Sequence, residues 1–251
     1  MMKYTIRYVS LLAGMLTVFS SCEHKDLCFD HDAHAPKSDV HIKAVYEKEW
    51  EHTCEGGPDW EQYPAWESRF GMDYHELCPD APDGLRIQVY NEDGTNNVLN
   101  VAPEGDIVRM RPGEHSLLLY NNDTEYIVFD DMNSFASAKA TTRTRTRASY
   151  GGNPYMENTV ENTVNAPDML YGNYMENYTA ERKTETDELP VTMHPLVFTY
   201  LVRYEFSHGL EYVALARGAL AGMAGAVWLN SGRTSEEAVT ILYDCSVEDF
   251  G

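Results

Sequence analysis

A cysteine that could carry a lipid stands near the start of the chain. Lys3 and Arg7 give a positive beginning, an apolar run follows over residues 9–19, and two serines precede Cys22. This is the pattern of a secretory signal, because the apolar run is too short to span a bilayer and ends at small residues. A cysteine directly after the small pair indicates lipoprotein processing. In that reading, residues 1–21 are removed, and an acyl chain such as palmitate on Cys22 holds the protein in a membrane. An ordinary signal peptide with a chance cysteine is the alternative.

The other cysteines are candidates for disulfide bonds, because an exported protein meets an oxidising compartment. They are Cys28, Cys54, Cys78 and Cys245. Cys54 and Cys78 lie in one aromatic-rich insertion over 51–83 and are the favoured pair. In the chain-entropy model, closing a loop of this size contributes about 3 kcal/mol. The sequence leaves the pairing of Cys28 and Cys245 open.

The same insertion holds the ligand types of a zinc site. His52-x-Cys54 and His75-x-x-Cys78 together offer two thiols and two imidazoles, separated by a wide central loop. Zinc requires thiolates and therefore competes with the disulfide, which export favours. We expect no metal centre.

Four aromatic residues could form a platform for a glycan. Trp50, Trp60, Tyr63 and Trp66 lie in or beside the insertion. Aromatic rings on a rigid surface can stack on the apolar faces of sugars, but tryptophan also commonly covers the edge of a sheet. The sequence leaves both interpretations open.

The dense basic patch of the chain consists of Arg143, Arg145 and Arg147 in the run TTRTRTR. Such alternation also fits a strand or loop with a solvated face. Because the residues that follow are rich in Asn and Gly, with little apolar material to bury, the patch predicts a linker that trypsin-like proteases cut.

Patterns typical of catalytic sites are missing from the sequence. There is no Gly-x-Ser-x-Gly elbow, no Gly-x-x-x-x-Gly-Lys loop, no His-Glu-x-x-His and no Gly-x-Gly-x-x-Gly after a strand. We therefore expect a non-enzymatic protein without a cofactor. The net charge of −21 at pH 7 disfavours binding to nucleic acid or to anionic lipid, and solubility explains it.

The elements that position these residues are predicted to be β strands. Residues 22–39 are polar and aperiodic and are typical of a tether, in which His31 and His34 offer a weak metal-binding pattern. Beyond the tether, apolar and polar residues alternate in short segments such as 85–90 and 195–206, separated by polar turns. This spacing predicts antiparallel strands of a sandwich.

Changes in composition divide the mature chain into two β domains. A first sandwich is predicted over 40–140, with the insertion 51–83. Residues 141–187, rich in Asn, Gly, Thr and Glu, are predicted to form a long connection with room for one strand inside it. A second sandwich over 189–251 is shorter than the roughly 100 residues of a typical one, so we expect its last strands to be missing.

Several short motifs together resemble a known family. They are Phe-Ser-Ser-Cys at 19–22, Glu23-His24-Lys25-Asp26, Tyr120-Asn121-Asn122-Asp123, His194-Pro195-Leu196-Val197 and Gly222-Met223-Ala224-Gly225. They resemble surface lipoproteins of gut and oral Bacteroidales that are akin to the fimbrillin-like and fimbrial-anchor proteins of type V pili.

The resemblance implies an all-β protein of two consecutive transthyretin-like antiparallel β-sandwiches without enzyme activity. It also implies a role in fimbria-like assembly, anchoring or adhesion, with fimbrillin-like subunits as partners. Charged residues after Cys22 are similar to signals that send such lipoproteins to the outer face of the outer membrane. Relatives extend further beyond the position of Cys245, in line with an incomplete second sandwich. The rival hypothesis is a solitary lipoprotein that binds glycan through the aromatic platform.

Overall fold

A computed structural model describes residues 38–47, 66–77, 79–146 and 161–245. The described residues form thirteen strands, one short helix (α1, Trp66–Phe70) and two 3₁₀ turns, so the expectation of an all-β protein is confirmed. Within these ranges, none of the helices has the length and hydropathy needed to cross a membrane. The predicted signal segment and the lipidated cysteine lie outside the described residues.

The strands follow one another in chain order as β1 Asp39–Tyr46, β2 Leu85–Asn91, β3 Asn96–Val101, β4 Ile107–Arg109, β5 Gly113–Asn121, β6 Ile127–Asp130, β7 Lys139–Thr142, β8 Thr163–Asn165, β9 Tyr171–Ala180, β10 Asp187–Pro195, β11 Ala216–Ala224, β12 Ala226–Trp228 and β13 Ala238–Cys245. The 3₁₀ turns are Tyr74–Leu77 and Leu210–Tyr212.

Seven strands form the largest sheet, in the order β3-β2-β5-β9-β10-β1-β4. β1 is parallel to β10 and antiparallel to β4. β9 and β10 pair only at His194 with Gly172 and Pro195 with Tyr171, so the sheet turns a corner there. Because β1, β4 and β10 share one apolar core with β2, β5 and β9, these two groups of strands face each other.

The period of two along a strand explains which side chains fill this first core. Val40, Ile42 and Ala44 of β1 are buried in it, whereas the residues between them face outward. Leu117 and Leu119 of β5 meet them from the opposite side.

A second core lies on the other face of β2 and β5. Tyr90, Leu118 and Tyr120 pack there against the three-stranded sheet β12-β7-β6. The Gln88 side-chain amide and the Tyr90 hydroxyl both donate to the Met132 carbonyl, at 2.6 and 2.8 Å, and fix the loop after β6. A further three-stranded sheet has the order β11-β13-β8.

The predicted connection over 141–187 contains two strands, β8 and β9, where the sequence interpretation allowed for one. β9 lies within the seven-stranded sheet, between β5 and β10, and β8 pairs with β13. Most side chains of β9 are partly or fully exposed, so its polar composition hid a strand whose backbone completes the ladder. Strands from both predicted domains also share one sheet, because β10 pairs with β1.

The predicted strand over 195–206 is a second correction. β10 ends at Pro195, and residues 198–206 have no regular secondary structure. The next strand is β11, which begins at Ala216 and contains Gly218 and Gly222. Alternation predicts a strand only where a ladder partner is available, and the partners in this region, β11 and β13, pair with each other.

Candidate functional site

An exposed apolar stretch follows β10. Eight of the twelve large apolar side chains that are exposed in the described residues lie within 198–215, which we call the apolar segment. They are Phe198, Tyr200, Leu201, Val202, Tyr204, Phe206, Tyr212 and Leu215. Scattered apolar side chains are normal on a surface, but a contiguous concentration marks an interaction site.

Contacts just before and within the apolar segment hold it against the body of the protein. Before it, the Leu196 N–H donates to the Leu170 carbonyl at 2.7 Å, and the Leu196 side chain packs on the second core. Further along, the hydroxyls of Tyr204 and Tyr243 lie 3.0 Å apart. Gly209 has φ 87°, a left-handed conformation that suits glycine, and starts the 3₁₀ turn. The segment is thus held in place while its apolar side chains face solvent.

A groove of about 660 Å³ runs beside the segment. One wall is formed by Ile127, Ala140 and Val227 of the β12-β7-β6 sheet, and the other includes Leu220 and Ile241 of β11 and β13. Residues of the apolar segment line it as well. The volume is in the range of ligand pockets, and the lining is mainly apolar. The groove is therefore an unfilled space between two sheets.

Tyr243 shapes the β11–β13 wall of the groove. Its ring lies directly over Gly218 of β11, where a Cβ atom would come within 2.1 Å of the ring. Glycine at this position lets the ring pack flat against the strand, next to Tyr204. Cys245, at the end of β13, is a partly buried free thiol that also lines the groove.

Charged groups lie near the end of the same strand pair. The Arg145 guanidinium lies 2.9 Å from an Asp244 carboxylate oxygen, and the Arg217 guanidinium lies 3.1 Å from the other. The Arg145 and Arg217 guanidiniums hold the pKa of the Asp244 carboxyl below its usual range. Asp244 also borders the groove, so its ion pairs give the mainly apolar lining a charged end at β13.

Two of the three arginines predicted to form a protease-sensitive linker lie in a paired segment. The Arg143 N–H donates to the Tyr126 carbonyl, and the Arg145 N–H donates to the Thr163 carbonyl, both at 2.9 Å. Such pairing opposes the local opening that proteases need. The cleavage prediction is kept for Arg147, which lies outside the described residues.

Most other predicted site residues also lie outside the described ranges. These are the lipidation site Cys22, the candidate disulfide Cys54 and Cys78, and Trp50, Trp60 and Tyr63 of the aromatic platform. Lipidation, the disulfide and the platform therefore stay predictions. Non-reducing peptide mapping would test the disulfide, because a Cys54–Cys78 bond gives one linked peptide.

Trp66 is the platform residue that the structure describes. It begins α1 and packs against Phe70 and Tyr74, with ring centroids 4.4 and 4.9 Å away. Part of the Trp66 ring surface is therefore in contact with these two neighbouring rings. Elsewhere in the described ranges, no group of three His, Cys, Asp or Glu side chains is arranged to hold a metal ion.

Sequence reasoning missed the apolar segment as a surface. It identified the alternation in 195–206 correctly but assigned it to a strand with a buried face. The density of large apolar residues was the available signal. A high density of apolar residues shows that a segment has much apolar surface to bury, but it does not identify what buries that surface.

Comparison with known proteins gives relatives and a fold. The chain is similar to the "Putative fimbrium anchoring subunit Fim4B" of Bacteroides ovatus, with 25% identity over 175 residues that cover 69% of this chain and 50% of that protein. It thus spans about half the length of this curated relative. A crystal structure of "a putative adhesin from Bacteroides ovatus ATCC 8483" matches 89% of this chain and 65% of that one, with a TM-score of 0.55 and 20% identity, and supports the fold. A second structure of "a putative adhesin from Bacteroides ovatus" matches 88% and 64% of the two chains, with a TM-score of 0.43 and 11% identity.

A protein-family match covers most of the chain. The model for DUF5119, a domain of unknown function, matches residues 61–244. This range includes the described strands except β1 and the last residue of β13. It also takes in the apolar segment and both sheets that border the groove. The expected resemblance to fimbrial-anchor proteins is confirmed, and the chain belongs to the DUF5119 family.

Proposed function

We propose that this protein is a non-enzymatic surface lipoprotein that anchors or joins a fimbria-like assembly. It binds a partner subunit through the apolar segment and the adjacent groove. The observation that carries the proposal is the concentration of exposed apolar side chains at 198–215 beside an unfilled apolar groove.

The composition of the surface favours a protein partner. Aromatic side chains dominate the binding energy of protein interfaces, and the segment supplies Phe198, Tyr200 and Tyr204 at its centre. Charged side chains border them, with Arg203 and Glu205 forming an ion pair at 3.4 Å. An apolar centre with a polar rim is the usual anatomy of such interfaces.

Attachment to the cell follows from the predicted lipid on Cys22. With that lipid in the outer membrane, the folded domain would stand at the cell surface, where fimbrial subunits assemble. The Bacteroides ovatus relative is named as a fimbrium anchoring subunit, which supports the same role. Fatty-acid labelling tests the attachment: a Cys22→Ser variant should lose the label and leave the membrane fraction.

Site-specific crosslinking on intact cells tests the partner surface. A photoreactive phenylalanine analogue replaces Tyr200, which is 64% exposed in the apolar segment, or Tyr174 on β9, which is 44% exposed. The two positions share a residue type and differ in location. We expect the Tyr200 position to give an adduct of defined mass that contains another surface subunit, and the Tyr174 position to give none.

The proposal fails if both positions crosslink equally, or if neither forms an adduct with a protein on fimbriated cells. A second variant pair checks the consequence for the cell. Phe198→Ser with Phe206→Ser should release fimbriae into the medium, whereas Val98→Ser on β3 should not. Normal retention of fimbriae by the double variant would contradict the assigned surface.

Glycan binding through the aromatic platform is the second candidate function. The packing of Trp66 with Phe70 and Tyr74 supports a rigid aromatic surface near α1. A glycan array probed with the wild type and with Trp66→Ala separates the two candidates. Loss of a glycan signal in the variant would favour this function, and unchanged binding would exclude a role of Trp66.

A further inference from the structure

β1 has backbone hydrogen-bond partners on both sides, along its length on one side and over its first residues on the other. On one side it pairs with β10 from Val40 opposite Asp187 to Tyr46 opposite Met193. On the other side it pairs with β4, and beyond β4 the Ile42 N–H donates to the Asp106 carbonyl at 3.0 Å. Its inward side chains are part of the first core. Extracting β1 therefore requires breaking two ladders and exposing apolar surface.

Side-chain ion pairs join β1 to the same neighbours. Lys43 pairs with Glu188 across the β10 ladder. At the C-terminal end of β1, the Glu47 carboxylate lies 2.5 Å from Nδ1 of His194. At its other end, the Asp39 carboxylate accepts from the Arg109 guanidinium at 2.8 Å. Each exposed pair contributes little alone, but together they mark both ends of the strand.

The strand directions decide how this pair responds to tension. β1 and β10 run parallel, so the first residue of β1 lies beside the start of β10. The chain enters β1 from its N-terminal side and leaves β10 at Pro195, directly into the apolar segment. A load applied to these two chain ends pulls the strands in opposite directions along their common axis. In this shear geometry all ladder hydrogen bonds are loaded at once.

We propose that the parallel β1–β10 pair is a mechanical clamp that carries tension between the N-terminal attachment of the protein and a partner bound at the apolar segment. The inference rests on the proposed function for the origin of the load. The clamp itself follows from the topology: an antiparallel neighbour in the place of β10 would be peeled away one hydrogen bond at a time by the same load. Resistance to force is set by the barrier to unfolding, which shear raises.

Single-molecule pulling of the mature protein tests the clamp with one change of attachment point. In the shear geometry, handles are placed at Lys37, before β1, and at Ser207, after the exposed stretch 198–206. In the control geometry, the first handle moves to Lys48, just beyond the end of β1. That end lies beside the end of β10, because the Glu47 N–H donates to the Met193 carbonyl at 2.9 Å. Pulling there opens the ladder from one end.

We expect the rupture force in the shear geometry to be several-fold higher than in the control geometry. Equal forces in the two geometries would overturn the proposal. Unlabelled and labelled proteins should show the same urea midpoint, so that a lower force cannot be traced to misfolding. The outcome is independent of the crosslinking result. If no partner binds at the apolar segment, the proposed function is contradicted, but the difference in rupture force remains. If the two rupture forces are equal, the clamp is contradicted, but the proposed partner site is not.

Discussion

The first core and the groove differ in how completely they are filled. Ile42, Leu117 and Met193 are fully buried in the first core. Between the β12-β7-β6 sheet and the β11–β13 wall, about 660 Å³ is empty, and side chains such as Leu220 keep part of their surface exposed. Protein interiors normally pack as densely as organic crystals. One part of the molecule is therefore densely packed, whereas the other leaves apolar surface exposed.

The largest expected effect is the difference in unfolding free energy between two leucine-to-alanine variants, one in the first core and one at the groove. Leu117→Ala removes a side chain with no exposed surface, and its cavity should cost about 3 kcal/mol of unfolding free energy. Leu220→Ala at the groove should cost less than about 1 kcal/mol, because the space beside it is already empty. Urea unfolding of both variants measures the difference. Similar losses would mean that the groove is closed in solution.

The next prediction concerns two glycines with positive φ. Gly105 has φ 100°, and a Cβ atom there would come 1.9 Å from the carbonyl oxygen of Ile42 in β1. Gly94 has φ 79° with no atom within 4 Å of its Cβ position. Gly94→Ala should cost about 1–2 kcal/mol for the backbone conformation alone. Gly105→Ala should cost roughly 1 kcal/mol more, since the loop must move off β1. Thermal unfolding that ranks the two variants the other way would show that the contact between this loop and β1 is loose.

Alkaline stability gives a smaller effect within the filled part of the molecule. Burial, with Asp123 and Glu104 nearby, raises the pKa of Tyr46 to about 12. The fold therefore favours the neutral phenol. Its contribution is complete below about pH 10, the usual tyrosine value, and is lost as pH rises through 12. Tyr46→Phe should flatten this part of the stability profile. At neutral pH it should lose about 1 kcal/mol, because the hydroxyl donates to the Pro103 carbonyl at 3.0 Å. Parallel profiles of the two proteins from pH 10 to 12 would rule out the assignment.

The smallest expected effect concerns the ion pairs of Asp244 on β13. Arg145→Gln should raise the pKa of the Asp244 carboxyl toward its usual value, while Arg217 keeps part of the downward shift. A depressed carboxyl pKa stabilises the fold above the unfolded pKa, and this contribution is lost as pH falls through the folded pKa. Since the carboxyl is exposed, the urea midpoint at pH 7 should barely change. Carboxyl titration by NMR measures the shift, and an unchanged Asp244 titration curve would contradict the ion pair.

The sequence predicts strands well where one face is buried and neighbours are close in the chain. β2 is predicted because Leu85, Ile87 and Val89 alternate with polar residues, and their burial confirms the pattern. β9 was missed because its longest ladder is with β5, a distant part of the chain, and because its side chains are largely exposed. Local composition carries no information about such a ladder.

The candidate site could be predicted only in part. The alternation in 195–206 identified residues that need apolar cover, but pattern alone does not distinguish a strand in a sheet from a segment that awaits a partner. The groove also has no sequence signature, because its walls come from β7, β11, β12 and β13, which meet only in the folded chain. The sequence therefore predicts which segments are extended and apolar, but it does not predict the long-range packing that forms the groove.

β5 connects the surroundings of the groove with the first core. Four consecutive side chains of this strand, Leu117 to Tyr120, are buried, and they alternate between the two cores. The second core shares Ile127, Ala140 and Val227 with the wall of the groove. β5 thus separates two cores, one of which also borders the groove. A partner that binds in the groove of the folded protein alone adds its binding free energy to the free energy of global unfolding. Occupancy of the surface will therefore slow hydrogen exchange in β1 and β2, strands that the partner never touches.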